Sequence, residues 1–443
     1  MRFAIPRPHR PEHVYYGWYI VAAATVAQFL AVGSQVYAAG VFLGPMTDDL
    51  GWSRESYSLV QTISTIVQGI AGFTIGGLID RRGARPLMLV GGVIAGFMII
   101  LTSQVETLWQ FYLVRGVAMT LGTMLMGNIV VNVTVSKWFV ARRGMAVAIA
   151  ATGVSMGGVL MAPLIAWWIE LFDWRTAWVI LGCVVLVLIG PTAMVMRRTP
   201  EDWGLRPDGM SEAQAAAYAS ARKRASAGSE ISWTRPEAVR TRTIWLVTLA
   251  YGIANIGLGA MLLHLIPYLT DNGYSRPTAA VLYSGLSWAA LFAKPVWGVL
   301  MDRFHARILS AVSFLMAGVA TILLVPTVQQ VGSSWAVLIV LVVYGFAIGG
   351  TIPLQETVWG SYFGRTHLGK IRAVAMPFTI VFSAGGPVLA GAIHDRTGEY
   401  SWAFICFTVF YVIGTVLVVM ARPPVHPSQR EPAEVPAGLP ATV

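Results

Sequence analysis

The chain has 443 residues, 56% of them hydrophobic and only 12% charged, with a formal net charge of +10. Soluble domains carry about 25% charged residues, and a water-soluble fold this apolar lacks the polar groups to cover its surface. The composition therefore excludes an ordinary soluble enzyme or binding module and requires lipid as the surrounding solvent.

In chain order, residues Met1 to Tyr16 form a basic, proline-bearing tail. The apolar stretch after it is too long for the h-region of a cleavable leader. A bilayer core needs about 20 apolar residues per helix, and twelve segments meet that need: 17–46, 55–79, 86–105, 108–136, 144–169, 175–196, 243–269, 277–300, 307–327, 334–360, 373–393 and 402–421. The domain plan is a cytoplasmic tail (1–16), a six-helix bundle (17–196), a cytoplasmic linker (197–242), a second six-helix bundle (243–421) and a disordered cytoplasmic tail (422–443). The linker carries a run Arg222-Lys223-Arg224, and residues Ser211 to Ser226 read either as an Ala-rich surface helix or as a solvated connector. Cys183 and Cys406 fall inside spans and are expected to be buried apolar side chains.

The cations alternate between the two sides. Of 31 Lys and Arg, 25 lie in the tails, the linker and the even-numbered loops. Arg54, Arg175, Arg276 and Arg396 fall on the other side, while Arg115 and Lys294 lie inside spans. This distribution obeys the positive-inside rule and puts both termini in the cytoplasm. It accounts for the positive charge without nucleic acid, for which no aromatic platform is present.

The two halves repeat at one offset. Pro45, Gly51, Arg54, Gly76, Asp80, Arg81 and Arg85 recur 222 residues later as Pro267, Gly273, Arg276, Gly298, Asp302, Arg303 and Arg307. Duplicated six-helix halves with a site between them are a common transporter plan. Gly76 and Gly298 are expected to allow close helix approach. Asp80, Arg81, Asp302 and Arg303 are expected to form a charge latch at the cytoplasmic ends of the second and eighth spans.

These segments carry a resemblance. Gly76-x-x-x-Asp80-Arg81-x-Gly83-x-Arg85 resembles the signature loop of the major facilitator superfamily, with His305 replacing the Gly83 equivalent in the second copy. Arg115, followed by Gly116 and Gly122, resembles its buried arginine motif, and Gly153, Gly157, Gly158 and Pro163 resemble its glycine-proline motif. More narrowly, Tyr16-Gly17-Trp18, Trp138-Phe139 with Arg142-Arg143-Gly144, the run from Pro200 to Gly209, Gly386-Pro387 and Asp395-Arg396-Thr397-Gly398 are similar to the monocarboxylate transporter and oxalate/formate antiporter branch. The resemblance implies an all-α membrane protein of two pseudo-symmetric six-helix bundles, working by alternating access.

A charge inside a span costs at least about 2.5 to 3.5 kcal/mol and needs a reason. Lys294, followed by Pro295, stands where the resembling branch implies a carboxylate-binding cation. That branch often carries an aspartate four residues earlier, and here the position is Ala290, an argument against simple proton symport. The alternatives for Lys294 are pairing with Glu356 or snorkelling to the membrane face. Glu356 is a candidate for proton coupling or gating, and Arg115 for a structural buried charge. Tyr37, Asn128, Asn132, Asn255, Tyr283 and Trp288 are further candidates for substrate contact. Gln28, Gln35, Ser284 and His264 are also polar positions in spans, and His264 reads as a packed histidine.

No P-loop, zinc-type cluster or Ser-His-Asp set stands out, so neither an enzyme nor a cofactor or metal is expected, and the tails are too short for a receptor's signalling domain. The reading is secondary transport of a small organic anion, with a proton or counter-anion as partner, by a monomer in a bacterial inner or other plasma membrane. Its alternative is export of a neutral or drug-like compound.

Overall fold

A computed structural model describes residues 15–214, 233–301, 303–364, 368–424 and 426. Among the described residues twelve long helices run back and forth: α1 Gly17–Leu50, α2 Arg54–Arg82, α3 Ala84–Thr102, α4 Leu108–Trp138, α5 Arg143–Leu171, α6 Trp174–Val195, α7 Arg242–Asp271, α8 Arg276–Met301, α9 Ala306–Val331, α10 Ser334–Phe363, α11 Leu368–Thr397 and α12 Ser401–Met420. Eleven are long and apolar enough to cross a membrane by themselves; α2, with its polar inner face, is the twelfth. No strand occurs among the described residues. Most helices run a few residues past the apolar stretches, because capped polar turns extend them. Ser53 accepts from the Ser56 amide at the start of α2, and Asp173 accepts from the Thr176 amide at the start of α6. That hydrogen bond holds the Asp173 carboxyl below its ordinary value.

Glycines set the packing distance between several helices. A Cβ on Gly153 of α5 would stand 2.0 Å from the Thr25 carbonyl oxygen of α1, so the two backbones touch. Gly298 departs from expectation, since a Cβ there would meet nothing within 4 Å. Four helices contain π-helical turns, at Gly33–Tyr37, Tyr112–Met119, Gly157–Met161 and Thr327–Val331. α4 is also broken at Gly127, whose backbone (φ −100, ψ −149) is not helical. The cysteines depart from the expected burial: Cys183 is exposed and Cys406 partly so, on the outer faces of α6 and α12, where small apolar side chains need no protein contact.

The start of the linker folds back on the first half. Asp208, at a positive φ of 58°, accepts hydrogen bonds from the amides of Val140, Ala141 and Arg142 at 2.7, 2.7 and 3.0 Å. Tyr16 stacks on Trp203, and Arg197 lies over the same indole. The Ser211 to Ser226 segment lies largely outside the described residues. Replacing Asp208 with alanine strands three amides at about 1–3 kcal/mol. A thermal melt should show a drop of several degrees for Asp208→Ala and a smaller one for Asp208→Asn, which keeps an acceptor and tolerates the positive φ. Equal melting of Asp208→Ala and the parent would show that the contact adds no stability.

Candidate functional site

Lys294 lies in α8 and reaches across to the other half, where its Nζ donates to Ser155 Oγ of α5 at 3.1 Å. Among the described residues no carboxylate stands within ion-pair distance of it. Glu356 does not fill that role: it is exposed on α10 and pairs with Arg372 of α11 at 2.5 Å. Neither the Lys294–Glu356 pair nor a Glu356 buried deep in its helix is therefore present. α5 and α8 run antiparallel, and helical side chains lean toward their own N-terminus. The lysine stem thus reaches back along α8 toward Ser287, two turns away on the same face.

Ser287 is not singled out by its sequence, yet its hydroxyl is buried and has no hydrogen-bond partner among the described residues. It faces Gly158 of α5, where a Cβ would come within 2.0 Å of Ser287 Oγ and 2.6 Å of the Tyr37 ring. The Tyr37 hydroxyl is close enough to act on it, although the pair falls short of a regular hydrogen bond. Tyr37 also meets Tyr283 edge-on, with centroids 5.8 Å apart. Tyr283 itself is buried, its hydroxyl donating to the Leu262 carbonyl at 3.1 Å. The structure thus brings Lys294, Tyr37 and Tyr283 together with Ser155 and Ser287 where α1, α5 and α8 meet.

The other candidates are scattered. Asn132 Oδ1 accepts from Gln28 Nε2 at 3.2 Å, and Asn128 is exposed just after the Gly127 break. Asn255 borders a small cavity inside the second half with Thr351 and Tyr411. Trp288 stacks on Phe292 and stands with Val281, Val296 and Val299 on the exposed apolar stripe of α8, away from the lysine face. Arg115 is fully buried in a π-helical turn. It donates to the Gln35 carbonyl at 2.9 Å and lies 5.9 Å from the ring centroids of both Phe111 and Trp178. Gln35 Nε2 in turn donates to Ser64 and Thr120.

Among the described residues, the hydrogen bonds and ion pairs joining the two halves lie from mid-membrane to the end opposite the tails, called the far end below. Its charged seal centres on Arg54, the first residue of α2. The guanidinium grips Asp271 at the end of α7 with both nitrogens and donates to the Tyr400 hydroxyl at 2.9 Å. The backbone amides of Arg54 and Glu55 donate to the Asp395 carboxylate of α11 at 3.1 and 2.8 Å. One half thus caps a helix of the other. Gly391 lets this happen, since a Cβ there would stand 2.7 Å from the Glu55 nitrogen.

Behind the seal His264 is fully buried. Its Nε2 lies 2.8 Å from the Pro387 carbonyl, which can only accept, so that nitrogen carries the proton. Nδ1 then accepts from Tyr400 at 2.9 Å. Burial pushes the Tyr400 phenol well above its ordinary value despite the neighbouring Arg54 charge, which keeps its proton available for that bond. The sequence offered two signals for this seal: the repeated Arg54 and the Asp395-Arg396-Thr397-Gly398 run.

Of the expected latch at the tail end, Asp302 and the Asp80 side chain lie outside the described residues. Arg81 and Arg303 are exposed.

With this geometry in view, comparison with known proteins is informative. The sequence profile of the Major Facilitator Superfamily matches residues 24–269 and 244–442. The chain is 28% identical over 433 residues to monocarboxylate transporter 11 of Mus musculus, covering 96% of this chain and 91% of that protein. It is 24% identical over 418 residues to the oxalate:formate antiporter of Oxalobacter formigenes, covering 92% and 93%. Among solved structures it is similar to a bacterial homologue of the human lysosomal transporter Spinster, with a TM-score of 0.69 at 17% identity over 92% of this chain and 97% of that one, a likeness of fold alone.

Proposed function

From membership of the Major Facilitator Superfamily, to which this chain belongs, we propose that it is a secondary transporter whose cargo is a small organic anion of the monocarboxylate type. The observation that carries this reading is the ammonium of Lys294, which sits between the two halves and has only the neutral Ser155 hydroxyl as a partner among the described residues. A cation in that setting lacks the counter-charge that would compensate its desolvation, and an anionic cargo supplies it. The Ser287 hydroxyl on the same face, with the Tyr37 hydroxyl beside it, offers a second donor. The relatives that are named as monocarboxylate and oxalate:formate carriers support the same class of cargo.

In this reading the halves rock about the Lys294 level, with the Arg54 seal closed when the tail end is reachable. A proton or an exchanged anion drives the cycle, and Glu356, paired with Arg372, acts as a gate on the tail side together with the Asp80–Arg81 and Asp302–Arg303 segments. The cation distribution places the tails in the cytoplasm and the far end outside a plasma membrane.

The test is thermal stability of the purified protein against a panel of mono- and dicarboxylates. A ligand that binds only the folded protein raises its melting temperature by mass action, about 2.7 kcal/mol at a hundred times Kd. A monocarboxylate is expected to stabilise the parent, with a weaker response in Ser287→Ala. If no carboxylate shifts the melt while neutral amphiphiles do, the cargo is not an anion.

A further inference from the structure

The far-end seal contains an arginine that it does not use. Arg276 opens α8 as Arg54 opens α2, at the 222-residue repeat. The two arginines border one cavity together with Asp48 and Asp271. Yet only Arg54 is engaged, gripping Asp271 across the halves. Arg276 has no ion pair among the described residues, although the first-half carboxylates Asp48 and Glu170 act on it from a distance. Asp271 and Arg276 belong to one hairpin of the second half, separated only by Asn272 to Ser275. The repeat counterpart of Asp271 in the first half is Asp49, which is held by Trp174 and Arg175, while Asp48 next to it borders the cavity at the end of α1.

We propose that Asp271 is a two-position carboxylate, sealing the far end on Arg54 of the first half and passing to Arg276 of its own hairpin when the halves part. The reason is electrostatic. Separation of the halves would leave Arg54 and Asp271 as lone charges at the membrane edge, and the cost would fall entirely on the open state. An arginine already bordering the same cavity gives Asp271 a replacement pair that travels with it. The released Arg54 turns to Asp48 of its own hairpin, which borders the same cavity. Cross-half pairing in the closed state thus becomes within-half pairing in the open state, and the two states differ little in charge pairing. Also facing Asp271 among the described residues are the His394 ring, 3.6 Å from its Oδ2, and through it Asp395, 3.6 Å from the same ring. Both lie on α11 and move with the second half. This inference concerns the gate and stands whatever the cargo.

The test reads far-end opening without substrate. Ser58, fully buried behind the seal, is replaced by cysteine in full-length protein lacking Cys183 and Cys406, and its alkylation by a maleimide is timed. The rate follows the open fraction even when that fraction is small. Arg54→Gln, which removes the closed pair, is expected to speed alkylation about fivefold or more. Arg276→Gln, which removes no hydrogen bond or ion pair of the closed seal among the described residues, is expected to slow it by a similar factor, with Arg276→Lys near the parent. The double variant should return toward the parent rate. If Arg276→Gln alkylates as fast as the parent or faster while Arg276→Lys also matches the parent, the exchange does not occur. It is equally ruled out if the double variant alkylates at the rate of Arg54→Gln.

Discussion

Lys294→Ala is expected to lower kcat/KM for carboxylate transport by at least about a hundredfold, with little change in the amount of folded protein. Truncating one member of a buried, hydrogen-bonded charge pair costs about 2–5 kcal/mol, most of it the penalty for leaving the other charge alone in a dry site. Here the abandoned charge is the cargo's, so the loss falls on transport and not on folding. The resting partner of the lysine is a serine hydroxyl at 3.1 Å. Losing it alone, in Ser155→Ala, should cost less than about tenfold, because a neutral hydrogen bond contributes only about 0.5–1.5 kcal/mol. Lys294→Arg keeps the charge but changes a point donor into a planar fork, and should retain partial activity with altered preference among acids. Counterflow of radiolabelled acid in proteoliposomes measures all three. Lys294→Ala transporting like the parent would make the lysine a structural group.

The second large effect is expected at Gly391. A side chain there runs into the Arg54 carbonyl and the Glu55 amide of the opposite half, at 2.8 and 2.7 Å. Both are backbone atoms at the start of a helix, so neither can swing aside. Gly391→Val is therefore expected to prevent the far end from sealing while leaving each half intact. Transport should fall by about tenfold or more, and a cysteine at Ser58, fully buried in the parent, should become reactive. The melting temperature should change little beyond the loss of the contacts to Asp395. Undiminished transport, or a Ser58→Cys site that stays protected, would show that the close approach is not part of the closed seal.

Much of the scaffold could be read from the sequence because lipid imposes simple rules. Twelve apolar stretches became twelve helices, and the shift of 222 that links Arg54 to Arg276 marked the two halves. What the sequence could not give is which polar groups meet. Arg54 and Asp271 are 217 residues apart and Arg54 and Asp395 341 apart; loop by loop, Arg54 reads only as one of the few cations on the outer side. Glu356 reads as buried because its neighbours are apolar, but it turns toward Arg372, which lies on the next helix. Trp288 falls in with the polar face of α8 by nearness in sequence, yet a helix turns about 100° per residue, and that turn puts it on the outer stripe. Ser155 and Ser287 are inconspicuous small residues whose importance comes from what stands opposite them.

The π-helical turns have a consequence for how such a protein can change. Those at Gly33–Tyr37, Tyr112–Met119 and Gly157–Met161 each hold residues beyond what an α-helix needs over the same span. Their repeat counterparts near 259, 337 and 379 lie in unbroken α-helix. Deleting one residue from a wide turn gives back ordinary helix with the span intact and the flanking faces almost unmoved, whereas deleting one from a regular α-helix swings everything on one side by about 100°. One lost codon at these turns of the first half therefore leaves Gln28, Asn132 and Ser155 on the faces they now hold, whereas the same loss at the repeat counterparts in the second half would throw a regular helix out of register. Changes of one residue in length are thus absorbed at three places in the first half, while the matching places in the second half, which carries Lys294, tolerate none.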